Sequence, residues 1–396
     1  MPHGTAHRRH RRAIGHRETH AGADPMTDDA GDTDTYALKS EALPEFTAPD
    51  LPYRPPMPKT YRPRIGMIGT GGISASHLDA YRTAGWRVSA LWNRTRAKAE
   101  AKAAEYCTGA RIEDDWRDML TDSEIDVIDV TLHPEHRAPI VEAALKAGKH
   151  VLSQKPFVTD LGVGEDLVKL AEDKGCKLAV NQNGRWAPHK AWMREAVRAG
   201  LIGEVMSAHV SLHWNHGWTA GTPFDEIEDL VLYDFAVHWF DFIASLTGTR
   251  AKSVFATASH ALGQSNKVPL LSQALVRLDG GQASLVFDGG APHGPRDTSY
   301  VGGTTGSLVA DGPDLGAQQV TLTTREGVAR PALEGQWFND GFRGTMGELL
   351  CAIEEDREPS NSARENLFSL ALAFAAVRSR ITGQEVEVGA ARRLES

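Results

Sequence analysis

The chain has 396 residues, of which 41% are hydrophobic and 24% charged, with a formal net charge of −9. That length allows two domains with cores of their own, and the composition excludes a largely disordered, collagenous or coiled-coil chain. The acidic balance gives no footprint for nucleic acid or an anionic membrane surface, and the longest apolar run, Leu370 to Val377, falls well short of the ~18 residues that cross a bilayer.

In chain order, residues 1–60 hold five of the sixteen histidines and eight of the twenty prolines and read as a disordered leader. The leader has arginines at Arg8, Arg9, Arg11 and Arg12 but no apolar segment of the kind a secretory signal needs, and Met26 is a candidate start. From Arg64 short apolar runs alternate with helical stretches, which predicts a doubly wound parallel sheet over residues 61–182. Predicted strands are Arg64–Ile68, Arg87–Trp92, Asp126–Leu132, His150–Ser153 and Leu178–Asn181. The predicted helices between them are Ala75–Ala84, Arg96–Tyr106, Arg137–Ala147 and Leu161–Asp173. Over residues 183–396 longer strand patterns (Val205–Trp214, Lys252–Ser259, Leu271–Leu278, Ala283–Phe287, Gln319–Thr323) and helices Thr345–Glu355 and Ala363–Thr382 predict an α+β domain with a mostly antiparallel sheet. Cys107, Cys176 and Cys351 are odd in number and widely spaced, so neither a disulfide framework nor a zinc site is indicated and a reducing cytoplasm is expected.

The first strand runs directly into Gly69-Thr70-Gly71-Gly72-Ile73-Ser74, a turn in which backbone can approach a pyrophosphate at a helix N-terminus. The strand before it, the helix after it and the βαβ units that follow favour a dinucleotide site over an ordinary strand-to-helix turn. The second strand ends at Asn93-Arg94-Thr95-Arg96, where an NAD-selective site usually places a carboxylate on the ribose. Arg94 and Arg96 instead form a candidate cradle for a 2′-phosphate, so NADP is favoured over NAD. If both arginines only solvate the next helix, NAD stays usable.

The stretches His150-Val151-Leu152-Ser153-Gln154-Lys155-Pro156-Phe157 and Asp234-Phe235-Ala236-Val237-His238-Trp239-Phe240-Asp241, together with Gly69-x-Gly71, resemble the Gfo/Idh/MocA family of sugar and polyol oxidoreductases. The similarity runs from about Arg62 to Val388 and includes Gly148-Lys149-His150-Val151, Gly200-Leu201-Ile202-Gly203-Glu204-Val205 and Thr382-Gly383. It implies a Rossmann domain, a second domain with an open sheet, an active site between them, and Lys155, Asp234 and His238 at the reacting carbon. It also implies self-association, as homodimer or homotetramer, through the second sheet. Departures are Gln154, where glutamate is usual before the lysine, and Leu230-Val231-Leu232-Tyr233 with Ala236, where glycines are often found. The last departure predicts a helix entry of altered shape.

Read without the family, Asp234, His238 and Asp241 fall on one side of an otherwise apolar helix, where a carboxylate and an imidazole need either a structural hydrogen bond or a task. An alcohol dehydrogenase needs a base for the hydroxyl proton, and His238 fits that role. Lys155 can stabilise charge on the reacting oxygen, while Asp234 either orients His238 or binds a neighbouring hydroxyl. A metal site at this spacing lacks further ligands nearby. His133 and Gln154 are candidates on the cofactor side, with His136 beside them. Asn183, Arg185, Trp214 and Trp218 are candidates for holding substrate, the indoles by stacking on a sugar ring. The leading reading is an NAD(P)-dependent dehydrogenase of a sugar, polyol or glycoside. A redox-neutral enzyme that retains its nicotinamide, and a dinucleotide- and sugar-sensing regulator, are the alternatives.

Overall fold

The computed structural model describes residues 42–395, so Met26 and most of the expected leader lie outside the described residues. The first sheet comprises β1 (Arg64–Ile68), β2 (Arg87–Trp92), β3 (Arg111–Ile112), β4 (Ile125–Val130), β5 (His150–Ser153) and β6 (Leu178–Val180), in the order 3-2-1-4-5-6. All its pairings are parallel. The connections carry α1 (Ser74–Ala84), α2 (Arg96–Tyr106), α3 (Arg117–Thr121), α4 (Pro134–Lys146) and α5 (Leu161–Asp173). Both faces of such a sheet are covered, so its strands are apolar throughout rather than alternating. On one face Ile65, Met67 and Val127 pack with Leu78 and Tyr81 of α1; on the other Ile68, Ile128 and Val130 join Val141 and Leu145 of α4. The strand order reverses between β1 and β4, which is where open α/β sheets place their ligands.

After α6 (Pro188–Arg198) comes β7 (Val205–His213), then a loop region, α7 (Val237–Thr247) and β8 (Ala251–Ser259). Strands β9 (Leu271–Leu278), β10 (Gly281–Asp288), β11 (Arg296–Gly303), β12 (Gly306–Gly312), β13 (Gln319–Thr324) and β14 (Gly327–Ala329) follow. Helices α8 (Trp337–Glu354) and α9 (Ala363–Thr382) and strand β15 (Val386–Glu387) end the chain. The nine strands form one sheet, antiparallel except where β7 runs parallel to β10. Alternation is clean here: Ala208, Val210 and Leu212 of β7 are buried, and Ser207, His209 and Ser211 point the other way. An α/β chain with a Rossmann sheet and an open, mostly antiparallel second sheet is what the sequence predicted.

Four differences have physical causes. Residues 43–60 are not a structureless leader. Tyr53 is buried, Val328 accepts from Phe46 N and donates to the Pro44 carbonyl across a short parallel bridge at Glu45, and the Glu354 carboxylate accepts from the backbone N–H groups of Lys59, Thr60 and Tyr61. Prolines there set an extended path along α8 rather than preventing one. Strands β11 and β12 escaped notice because glycines at 302, 303 and 306 break their apolar pattern. Helix α6 was missed because its charged side chains do not mark its exposed face: His189, Lys190 and Arg194 are buried along with Ala191, Trp192 and Met193. Helix α8 belongs in sequence to the C-terminal part, yet Phe342, Met346, Leu349 and Leu350 pack on the Rossmann face beside α1.

Candidate active site

The turn after β1 is shaped by close contact. Gly69 has φ +104°, and a Cβ there would sit 2.9 Å from the Thr131 Oγ1 at the end of β4. Thr131 in turn donates to the Gly69 carbonyl at 2.7 Å. Gly71 and Gly72 have open space where a side chain would stand, and no side chain caps α1. The cradle therefore offers backbone N–H groups and a helix N-terminus to an anion, with Ile73 beside them, and suits a dinucleotide pyrophosphate. Asn93 joins this turn to the end of β2, accepting from Thr70 N at 3.1 Å and donating to Thr95 O at 3.1 Å. Of the two candidate phosphate arginines, Arg96 is already held by Glu100 at 2.9 Å and Asp114 at 2.5 Å. Arg94 is exposed and makes no ion pair among the described residues.

The catalytic candidates come from distant segments. Lys155 follows β5, and its Nζ donates to the Asp234 carbonyl at 2.8 Å and to Asp234 Oδ2 at 3.1 Å. Asp234 lies in a π-helical turn, Leu230–Phe235, and α7 begins only at Val237. Asp234 therefore stands in an irregular entry to α7, and it pairs with Lys155 rather than with His238. The His238 Nδ1 is buried without a partner, against Gly184. Its ring stands edge-on to Trp337, with centroids 5.5 Å apart. Burial, with the charges of Lys155 and Lys190 added, holds the His238 imidazole well below its ordinary range.

The remaining candidates separate into those at the cleft and those elsewhere. Gln154 turns inward: its Oε1 accepts from Lys155 N at 2.7 Å, and its Nε2 lies 3.2 Å from His77 Nε2. His77 is itself tied to the buried Asp129 at 2.8 Å and to Asn181 at 3.0 Å. The side chain expected to face the cofactor therefore belongs to a buried network beneath Lys155. Arg185 is forked onto Asp241 at 2.7 and 2.8 Å in a buried pair, so its guanidinium is engaged within the core rather than offered to the cleft. Asn183 accepts from Trp337 Nε1 at 2.8 Å, which sets it beside His238. Trp214 lines a small apolar cavity with His216, Phe235 and Trp239, and Trp218 is exposed nearby. His133 and His136 are exposed at the N-terminus of α4.

Sequence reading missed Arg137, which is fully buried and donates to the carbonyls of Leu132, Gln154 and Pro156. It staples the loop after β4 to the segment carrying Lys155. It also missed Trp337, whose only signal was an isolated tryptophan at a helix start. Among the described residues no group of three or more His, Cys, Asp or Glu side chains is placed to hold a metal ion, and no helix is long and apolar enough to cross a membrane.

Comparison with known proteins agrees with this geometry. Residues 63–182 match a model described as an oxidoreductase family with an NAD-binding Rossmann fold, and residues 191–309 match the GFO/IDH/MocA C-terminal domain. An inositol 2-dehydrogenase of Rhizobium meliloti is 27% identical over 335 residues, covering 82% of this chain and 99% of that protein. A 1,5-anhydro-D-fructose reductase of Ensifer adhaerens is 27% identical over 337 residues, with 82% and 98% covered. An Agrobacterium radiobacter oxidoreductase, solved with NAD+, L-tartaric acid and magnesium, superposes with a TM-score of 0.76 over 83% of this chain and 99% of that one, at 19% identity.

Proposed function

The chain belongs to the GFO/IDH/MocA oxidoreductase family and is a nicotinamide-dependent oxidoreductase of CH–OH groups, and from that premise we propose that it oxidises a sugar, polyol or glycoside hydroxyl with Lys155, Asp234 and His238. The observation that carries the assignment is the Lys155 ammonium held between the backbone carbonyl and one carboxylate oxygen of Asp234, at the open end of the parallel sheet. That grip points the lysine without consuming all three of its donors.

The glycine turn, the start of α1 and Asn93 would hold the dinucleotide, whose nicotinamide supplies the hydride acceptor. Lys155 then donates a hydrogen bond to the substrate oxygen and stabilises the negative charge that grows there. His238, neutral at working pH, takes the hydroxyl proton, so the carbinol loses one hydride and one proton and becomes a carbonyl. Asp234 restrains Lys155 and leaves its second carboxylate oxygen for an adjacent hydroxyl. Asn183, held by Trp337, adds an amide at the same wall.

NADP is the favoured cofactor, supported by the unpaired Arg94 where NAD-selective sites carry an acid. The chain also self-associates through the open face of the second sheet. There Phe255, Leu275, Ser284, His209, Tyr300 and Val309 lie in one directly paired row, and Phe255, Leu275 and Tyr300 are exposed. The reducing cytoplasm is the setting we assign, supported by three cysteines without a disulfide among the described residues. The test is reduced-nicotinamide absorbance with NADP+ or NAD+ over a panel of aldoses, inositols, sugar acids and glycosides. A signal absent from Lys155→Ala is expected; one that survives it overturns the assignment.

A further inference from the structure

Lys190 on α6 is 1% exposed, and its Nζ is buried without a hydrogen-bond partner. Among the described residues it makes no ion pair; instead the ammonium sits over Trp239 at 4.2 Å and Trp337 at 4.5 Å, with Phe242 at 5.6 Å. A buried lysine without a carboxylate is costly, and two indole faces offset part of that cost. The same two indoles frame His238, whose ring is edge-on to Trp337 at 5.5 Å and to Trp239 at 6.2 Å. Lys190 and His238 thus occupy neighbouring positions on one aromatic wall.

We propose that Lys190 is a positioning residue for the reaction, a cation fixed at the tryptophan wall that keeps the His238 ring unprotonated and able to accept the hydroxyl proton. The inference rests on His238 being that acceptor. Burial and Lys155, which is paired with Asp234, act on His238 in the same direction as Lys190, and Asp241, one turn along α7, is locked to Arg185. The carboxylate that acts on Lys190 from the sheet is Asp297 of β11, whose oxygens are both buried and unpartnered. Among the described residues no anion touches Lys190, so its field reaches the imidazole through a poorly screened interior. Burial lowers the Lys190 pKa from its ordinary value, and the charges of Asp297 and Asp241 restore part of it.

The test is histidine-selective NMR of the full-length protein across pH, with the His238 signal assigned by His238→Gln. In the native protein His238 stays neutral well below the ordinary imidazole range; in Lys190→Met its midpoint rises by about one pH unit or more, and Lys190→Arg leaves it in place. An unmoved midpoint in folded Lys190→Met overturns the proposal. Should that variant not fold, the native protein decides. Loss of the Lys190 proton must shift the His238 signal in a step below the ordinary lysine range, and a flat trace there overturns it equally. These readouts need no substrate, so they are separate from the dehydrogenase reading. With a substrate in hand, the acid limb of kcat/KM follows the NMR midpoint. A limb that stays fixed while the midpoint moves overturns His238 as the acceptor.

Discussion

The nucleotide side of the cleft and its catalytic side use different parts of the chain. Around Gly69 the surface is made of backbone: a left-handed glycine, two positions without side chains and an uncapped helix end, all within six residues. Around Lys155 it is made of side chains drawn from positions 79 residues apart, and it holds only because each charge has a partner or an aromatic cover. A backbone site is encoded by what is missing from a short stretch. A side-chain site is encoded by matches between stretches that have no local reason to agree.

The contrast breaks most visibly on the catalytic side. Lys155→Met is expected to lower kcat by about a thousandfold while NADPH fluorescence titration shows the dinucleotide still bound; a joint loss of both would mean that the two sides are one site. Asp241→Ala leaves Arg185 buried and unpaired, and urea unfolding is expected to show a loss of about 3–5 kcal/mol. On the nucleotide side, Gly69→Ala meets Thr131 with φ in the left-handed region, at about 1–3 kcal/mol and with weaker dinucleotide binding. An intact affinity there would show that the turn tolerates a side chain.

Smaller effects sharpen the picture. Burial pulls the His216 imidazole down to about 4, below its value of about 6.5 in an unfolded chain. The folded-state pKa is the lower one, so this stabilisation is complete above 6.5 and declines as pH falls toward 4, by about 1.4 kcal/mol per unit. His216→Phe should flatten that part of the urea-midpoint profile; an unchanged slope assigns it to other buried histidines. Arg94→Ser is expected to move the NADP+ to NAD+ preference in kcat/KM by about fivefold toward NAD+.

How far the sequence could be read follows the same division. Strands β1, β2, β5 and β9 and helices α2, α5 and α9 have the predicted bounds, because an apolar run between turn residues is a local signal. The glycine turn was legible for the same reason. Partner choice was not: nothing near Arg185 announces Asp241, and nothing near Gln154 announces His77, 77 residues earlier. Lys190 reads as an ordinary polar position until the tryptophans at 239 and 337 are brought around it. Residues 43–60 were misjudged because their order comes from α8 and β14, far along the chain.

The placement of α8 bears on how such a chain can be recombined. Its apolar side fills the Rossmann face next to α1, residues 53–61 run against it, and residues 43–395 belong to a single compact unit. A chimera joined after residue 182 would inherit a nucleotide-binding half stripped of Phe342, Met346, Leu349 and Leu350. To exchange the substrate half between relatives, a graft has to leave this one helix behind.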